Sequence, residues 1–122
     1  MIETDFNFVR GTSYSKTINI TGYSGSIDEM YFTVKEGESD RIPVMQKTIG
    51  NGITALESED ENIKSYRLLI SPDDTEDLDI NKSYFFDIKV VTSQGVTEIT
   101  KKVVAKGRMI LSANITRSFN ES

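Results

Sequence analysis

The chain has 122 residues, no cysteine, no histidine and a formal net charge of −5. A chain of that length can form one domain with a sizeable core, which needs no disulfide for its stability. Without cysteine or histidine the chain lacks disulfides, thiolate or imidazole metal sites and histidine-based catalytic triads. The negative net charge repels nucleic-acid phosphates and anionic membranes, so binding to either through charge is disfavoured. We therefore expect a protein that is not an enzyme, with no cofactor, metal, nucleic-acid or membrane partner.

The two ends of the chain fall outside the clear strand pattern. Residues 1–5 contain neither a basic segment nor an apolar run, so no signal peptide is predicted. No stretch approaches the roughly 18 apolar residues that a membrane span requires. We predict an N-terminal arm at 1–5, a β-sandwich at 6–111 and a C-terminal tail at 112–122.

Apolar and polar residues alternate with a period of two along most of the chain, which is typical of strands with one buried face. The clearest runs are 14–21, 30–35, 65–71, 84–91 and 99–105, and weaker ones lie at 6–9, 44–49 and 53–57. A last extended stretch near 109–111 follows Gly107, which we interpret as a bulge or kink. Glycine-containing turns at 22–25, 37–40, 50–52 and 92–95 separate the runs.

One segment departs from the strand pattern. Ser71 supplies a hydroxyl N-cap, Pro72 suits the first helical position and acidic residues follow, as at the start of a helix. We predict one short helical turn near 72–77. Seven to nine strands without long helical periods predict an all-β fold, an immunoglobulin-like antiparallel β-sandwich.

The spacing of Leu78 and Tyr84 is the most specific local pattern. In immunoglobulin-like sandwiches a leucine plugs the end of the core, and a tyrosine hydroxyl near the start of a late strand bonds to backbone just upstream. Tyr84 opens the strongest strand, six residues after Leu78. We assign both to a structural corner. The alternative is that Tyr84 is only a core aromatic.

Charge is distributed unevenly along the chain. Nine of the 19 acidic residues lie between Glu57 and Asp79, whereas 99–120 contains five basic residues and no acid. Either copies of the chain attract one another through these segments, or two edges are simply solvated. The acidic loop 73–79 could offer oxygen ligands to calcium. It does not match EF-hand spacing, however, and acids at a helix start already have a structural purpose.

Four residues are candidate contacts with a partner. Tyr23 and Tyr31 could form an aromatic patch, because tyrosine is rigid and amphipathic, although it is also common on strand surfaces. Arg10 precedes a glycine turn after the first aromatic strand. Arg117 lies in the basic C-terminal segment. No residue is assigned to catalysis.

Several segments together resemble small immunoglobulin-like virion proteins from phages and prophages of Gram-positive bacteria, and the N-terminal domain of the phage baseplate upper protein is similar. The segments are 5–11, 30–35, 46–53, 69–75 and 84–90, and the resemblance extends from about residue 5 to 116. That group often has aspartate after the first Arg-Gly, where this chain has Thr12. The baseplate domain normally begins a longer protein, whereas this chain ends at Ser122. That difference favours a free-standing decoration, adaptor or joining protein.

The resemblance implies a structural role in a virion. We expect a module of the head, tail or baseplate that is made in the host cytoplasm, is present in multiple copies and contacts other virion proteins. A carbohydrate- or cell-surface-binding module is the alternative, with the Tyr23 and Tyr31 region and the acidic loops as its candidate surface. The third hypothesis, an enzyme using the acidic loops, requires two carboxylates held across a cleft.

Overall fold

The computed structural model, which describes residues 2–21, 27–57, 63–94 and 98–113, confirms the expected all-β fold. Within those ranges the strands are β1 (Ile2–Glu3), β2 (Phe6–Val9), β3 (Tyr14–Thr21), β4 (Ile27–Lys35), β5 (Met45–Ile49), β6 (Gly52–Leu56), β7 (Ile63–Ile70), β8 (Ser83–Gln94) and β9 (Glu98–Ser112). The short helix α1 (Pro72–Thr75) follows β7. No helix in this part of the chain has the length and apolar character to cross a membrane.

The strands form one path that folds over into two layers. Their order is β1–β9–β8–β4–β5–β6–β7–β3, and β2 also pairs with β9. Although β2 and β3 lie toward opposite ends of this path, the rings of Phe6 and Tyr14 are 5.4 Å apart. The path therefore closes on itself as a β-sandwich. Most pairings are antiparallel, but β1 and β2 run parallel to β9, and β5 runs parallel to β6.

The core fills the space between the two layers. Met30, Phe32 and Val34, at alternate positions of β4, are fully buried. Phe6 stacks on Phe86 with ring centroids 4.4 Å apart and lies 5.9 Å from Phe32. Each such side chain contributes roughly 1.5–3 kcal/mol through burial. Other buried members are Ile18, Ile20, Ile53, Leu68, Ile70, Ile88, Val90, Met109 and Leu111.

The N-terminal residues do not form the arm that the sequence predicted. β1 pairs in parallel with the middle of β9. The Thr4 N–H donates to the Lys106 carbonyl at 3.1 Å, and the Asp5 carboxylate accepts from the Arg108 N–H at 3.1 Å. The boundary at residue 5 is therefore wrong. A two-residue strand held by backbone bonds leaves no periodic pattern in the sequence.

The C-terminal strand has no bulge at Gly107, contrary to the interpretation from the sequence, since the register through Phe86↔Gly107 is continuous. β9 continues to Ser112, one residue past the predicted end of the sandwich, and 114–122 lie outside the described residues. The register shift lies elsewhere: Ile88 pairs with Ala105 and Lys89 with Val103, so β9 has an extra residue between them.

Gly107 is needed for a different reason, the close approach of the N-terminal strand. A Cβ built there would lie 1.5 Å from the Thr4 carbonyl oxygen, far inside van der Waals contact. Only glycine lets the backbone at Thr4 approach β9 this closely.

Candidate functional site

The corner formed by Leu78 and Tyr84 closes one end of the sandwich. The Tyr84 side chain is buried, and its hydroxyl accepts a hydrogen bond from the Asp79 N–H at 2.8 Å. Leu78 is half-buried and packs against the core. Tyr84 is thus both a core aromatic and a hydrogen-bond partner of the loop, so the two interpretations of this residue describe one arrangement.

Arg10 also belongs to this end of the molecule. Its Nη1 donates to the Leu78 carbonyl at 3.1 Å, and the neighbouring Gly11 N–H donates to the Thr75 hydroxyl at 2.9 Å. Thr75 is fully buried. The structure therefore gives Arg10 a role inside the fold, joining the end of β2 to the corner, and its assignment as a candidate contact with a partner stays a prediction.

The first turn of α1 is fixed by Asp74. Its carboxylate accepts from the Ser71 backbone and hydroxyl at 2.7 and 2.9 Å, and lies 2.7 Å from the Lys47 ammonium. Partial burial raises the pKa of Asp74, but the bonds from Lys47 and Ser71 outweigh it and hold the pKa below the ordinary 3.8. Asp74 therefore ties β5 to α1 as a charged group.

We expect Asp74→Asn to lower the free energy of unfolding by about 1 kcal/mol at neutral pH, because a charged hydrogen bond and an ion pair are lost. Since the folded-state pKa is depressed, the stabilisation by Asp74 is present above 3.8 and is lost as pH falls through the lower folded-state value. Urea denaturation at neutral pH and at a pH below the folded-state pKa of Asp74 checks this. The variant and the wild type should converge in acid, whereas the exposed neighbour variant Asp73→Asn should differ little at either pH.

The remaining acids of 73–79 do not converge on a site. Asp73, Glu76, Asp77 and Asp79 are exposed, and Asp74 is engaged with Lys47. Across the described residues, no group of three or more acidic side chains is placed to hold a metal ion. A second acidic run begins at Glu57, and its remaining residues, 58–62, lie outside the described residues.

Two adjoining grooves mark the outer face of the layer formed by β4, β8 and β9. The larger, about 630 Å³, lies beside the N-terminal strand and includes Asp5, Phe85 and Arg108. The smaller, about 370 Å³, includes Tyr31 and Lys89. Their linings mix carboxylates with ammonium and guanidinium groups, so this face presents no single sign of charge to a ligand.

Tyr31 is the one candidate contact residue that the structure places on this face. It is half-buried, and its hydroxyl donates to the Glu29 carboxylate at 2.9 Å, which raises the pKa of Tyr31. Tyr23 and Arg117 lie outside the described residues, and the predicted aromatic patch of Tyr23 with Tyr31 therefore stays a prediction.

The edge of β3 is a candidate contact surface that the sequence pattern does not reveal. All eight residues of β3 pair antiparallel with β7, from Tyr14↔Ile70 to Thr21↔Ile63, without a register shift. No described residue pairs with the other side of β3, where the strand order ends. In constant-type immunoglobulin sandwiches the first strand covers this edge. Here β1 and β2 pair with β9 instead, which no local pattern reveals.

No protein-family model and no curated protein matches the chain. A chain from a study of T-cell specificity and activation by the bacterial superantigen toxic shock syndrome toxin-1 is 10% identical, with a TM-score of 0.46, over 88% of this chain and 92% of that one. A chain from a photo-crosslinking study of cell-adhesive interactions of VGSC beta subunits is 14% identical, with a TM-score of 0.43 and the same two coverages, 88% and 92%. A family 123 glycoside hydrolase from Clostridium perfringens is 11% identical, with a TM-score of 0.46, over 91% of this chain and 23% of that one.

Proposed function

We propose that this chain is a phage virion structural protein, a non-catalytic assembly or decoration module of the head, tail or baseplate. The resemblance of its segments to small immunoglobulin-like virion proteins supports this role. The observation that carries the proposal is the outer edge of β3, a continuous eight-residue strand, which we call open because no described residue pairs with it. Such an edge presents a row of backbone donors and acceptors to a neighbouring subunit.

The corner around α1 also suits this role. Arg10 and Asp74 each bond to a residue distant in sequence, and Tyr84 bonds to the loop just upstream of it, so the three together fix the corner around α1. A module repeated in a particle has to present the same surface in every copy. Buried, fully bonded polar groups give that uniqueness of shape.

Peptide mass spectrometry on separately purified phage heads and tails tests the proposal. We expect the chain at high copy number in one of the two fractions, and the fraction that contains it identifies its location. Cross-linking within that fraction should join it to copies of itself or to other virion proteins. Its absence from both fractions would contradict a structural role.

A carbohydrate- or cell-surface-binding module is the second candidate, and the groove that includes Tyr31 favours it. A half-buried tyrosine beside polar groups can stack on a sugar ring while they bind its hydroxyls. Glycan-array binding by the isolated chain, abolished by Tyr31→Ala and retained by Tyr31→Phe, would support this candidate. No binding on the array would count against it.

A further inference from the structure

We infer that the open edge of β3 binds a second copy of this chain, whose own β3 pairs with it antiparallel across a two-fold axis. The outcome is one continuous sheet, in which β6, β7 and β3 of one copy are followed by β3, β7 and β6 of the other. This dimer rests on the proposed function, because it names one contact through which copies assemble.

The two edges of the strand path differ in how well they can accept a strand. At one edge, β1 has two residues and β2 has four, and Asp5 between them turns its carboxylate to the Arg108 N–H. β3 is instead one run of eight residues without proline or bulge. Natural sheets protect edges by short strands, interruptions and charges. The first edge has this protection, and β3 has little.

The composition of β3 is compatible with pairing to itself. Its one charged residue is Lys16. The two-fold registers with the greatest overlap are centred on Thr17 or on Ile18. They place Lys16 directly opposite Ile18 or Ile20 of the partner subunit, so no like charges are directly opposed.

The outward side chains of β3 also suit a second copy. They are small and uncharged: Ser15, Thr17, Asn19 and Thr21. Hydroxyl side chains on facing strands form favourable pairs, and none of these residues is bulky enough to hold the strands apart. Because each copy offers the same edge once, the assembly closes as a dimer instead of growing into a fibre.

Salt dependence separates this contact from one between the acidic and basic segments of two copies. Each copy has a formal net charge of −5, so two copies repel one another at long range. Salt screens that repulsion, and we expect the β3 dimer to become tighter as salt is added. A dimer held by attraction between acidic and basic surfaces would weaken instead.

Sedimentation equilibrium of the full chain, up to submillimolar concentration, tests the inference with the variant Thr17→Lys/Asn19→Lys. In either register the variant places lysines of the two copies opposite each other. We expect its dimer to be weaker by several-fold to about tenfold, since one directly opposed pair becomes repulsive in the register centred on Thr17 and two do so in the register centred on Ile18. In the wild type, amide hydrogen exchange across 14–21 should slow as concentration rises.

The matched control is Thr54→Lys/Leu69→Lys, which adds the same charge to the same face away from the edge. Thr17 and Thr54 are both register partners of Arg67, so both variants bring a lysine beside that guanidinium within the chain. We expect the control to dimerise as the wild type does. Thermal unfolding of both variants should confirm that they are folded.

Three results would overturn the inference: a wild type that remains monomeric at high salt, an edge variant that dimerises as tightly as the control, or a dimer that weakens with salt. None of them would decide the proposed function, which depends on whether the chain is present in purified particles. Conversely, a β3 dimer from a chain absent from particles would leave the inference standing and remove the proposed function.

Discussion

Replacing Gly107 with alanine is expected to lower the free energy of unfolding by about 3 kcal/mol, at the upper end of the usual cost of overpacking. The new Cβ would lie 1.5 Å from the Thr4 carbonyl oxygen and 3.0 Å from the Phe86 ring. Backbone cannot yield as a flexible side chain does. We therefore expect β1 to detach from β9, and the bond from the Thr4 N–H to the Lys106 carbonyl to be lost.

Urea denaturation measures the loss of stability, and hydrogen exchange locates it. The amide of Thr4 should exchange faster in the variant through local detachment of β1, whereas amides of β7 should lose protection only as far as the global free energy of unfolding falls. Gly37→Ala is the control, because the nearest atom to a Cβ there is in the flexible Asp40 side chain, at 3.2 Å. A Gly107 variant as stable as this control would show that the N-terminal strand does not need the close approach.

Tyr84→Phe is expected to cost about 2 kcal/mol, since the Asp79 N–H would lose its acceptor at the end of the core. The ring remains, so the loss reports the hydroxyl and not the packing of an aromatic side chain. Chemical denaturation at neutral pH gives the difference directly.

Tyr31→Phe provides the comparison, because its hydroxyl donates to the exposed Glu29 carboxylate at 2.9 Å. Water can replace that bond, and we expect almost no change in stability. Equal losses in the two variants would mean that the bond at the corner contributes no more than a surface bond. In that case Leu78 and Tyr84 would stabilise the fold through packing alone.

The sequence predicts those parts of the fold that local pattern encodes. Alternation in 30–35 locates most of β4, and Ser71 with Pro72 locates the start of α1. The beginning of β4 is not predicted, because a register shift between Ile27 and Glu29 interrupts the alternation. β1 is too short to produce a pattern at all.

The candidate surfaces were predictable only where the partners are close in sequence. Leu78 and Tyr84 meet within one loop, so their spacing indicates the corner. Arg10 bonds to Leu78 across 68 residues, and nothing in its neighbours indicates that partner. The open edge of β3 depends on where the first strand pairs, which the global strand order decides.

The parallel pairing of the N-terminal strand with β9 sets how the domain responds to mechanical tension. Because the strands run in the same direction, pulling the chain outward from both ends slides β2 against β9 lengthwise. All four register pairs from Phe6↔Met109 to Val9↔Ser112 then bear the force together, whereas an unzipping geometry would break them singly. A domain connected in this way resists extension in shear, because its terminal strands cannot separate one hydrogen bond at a time.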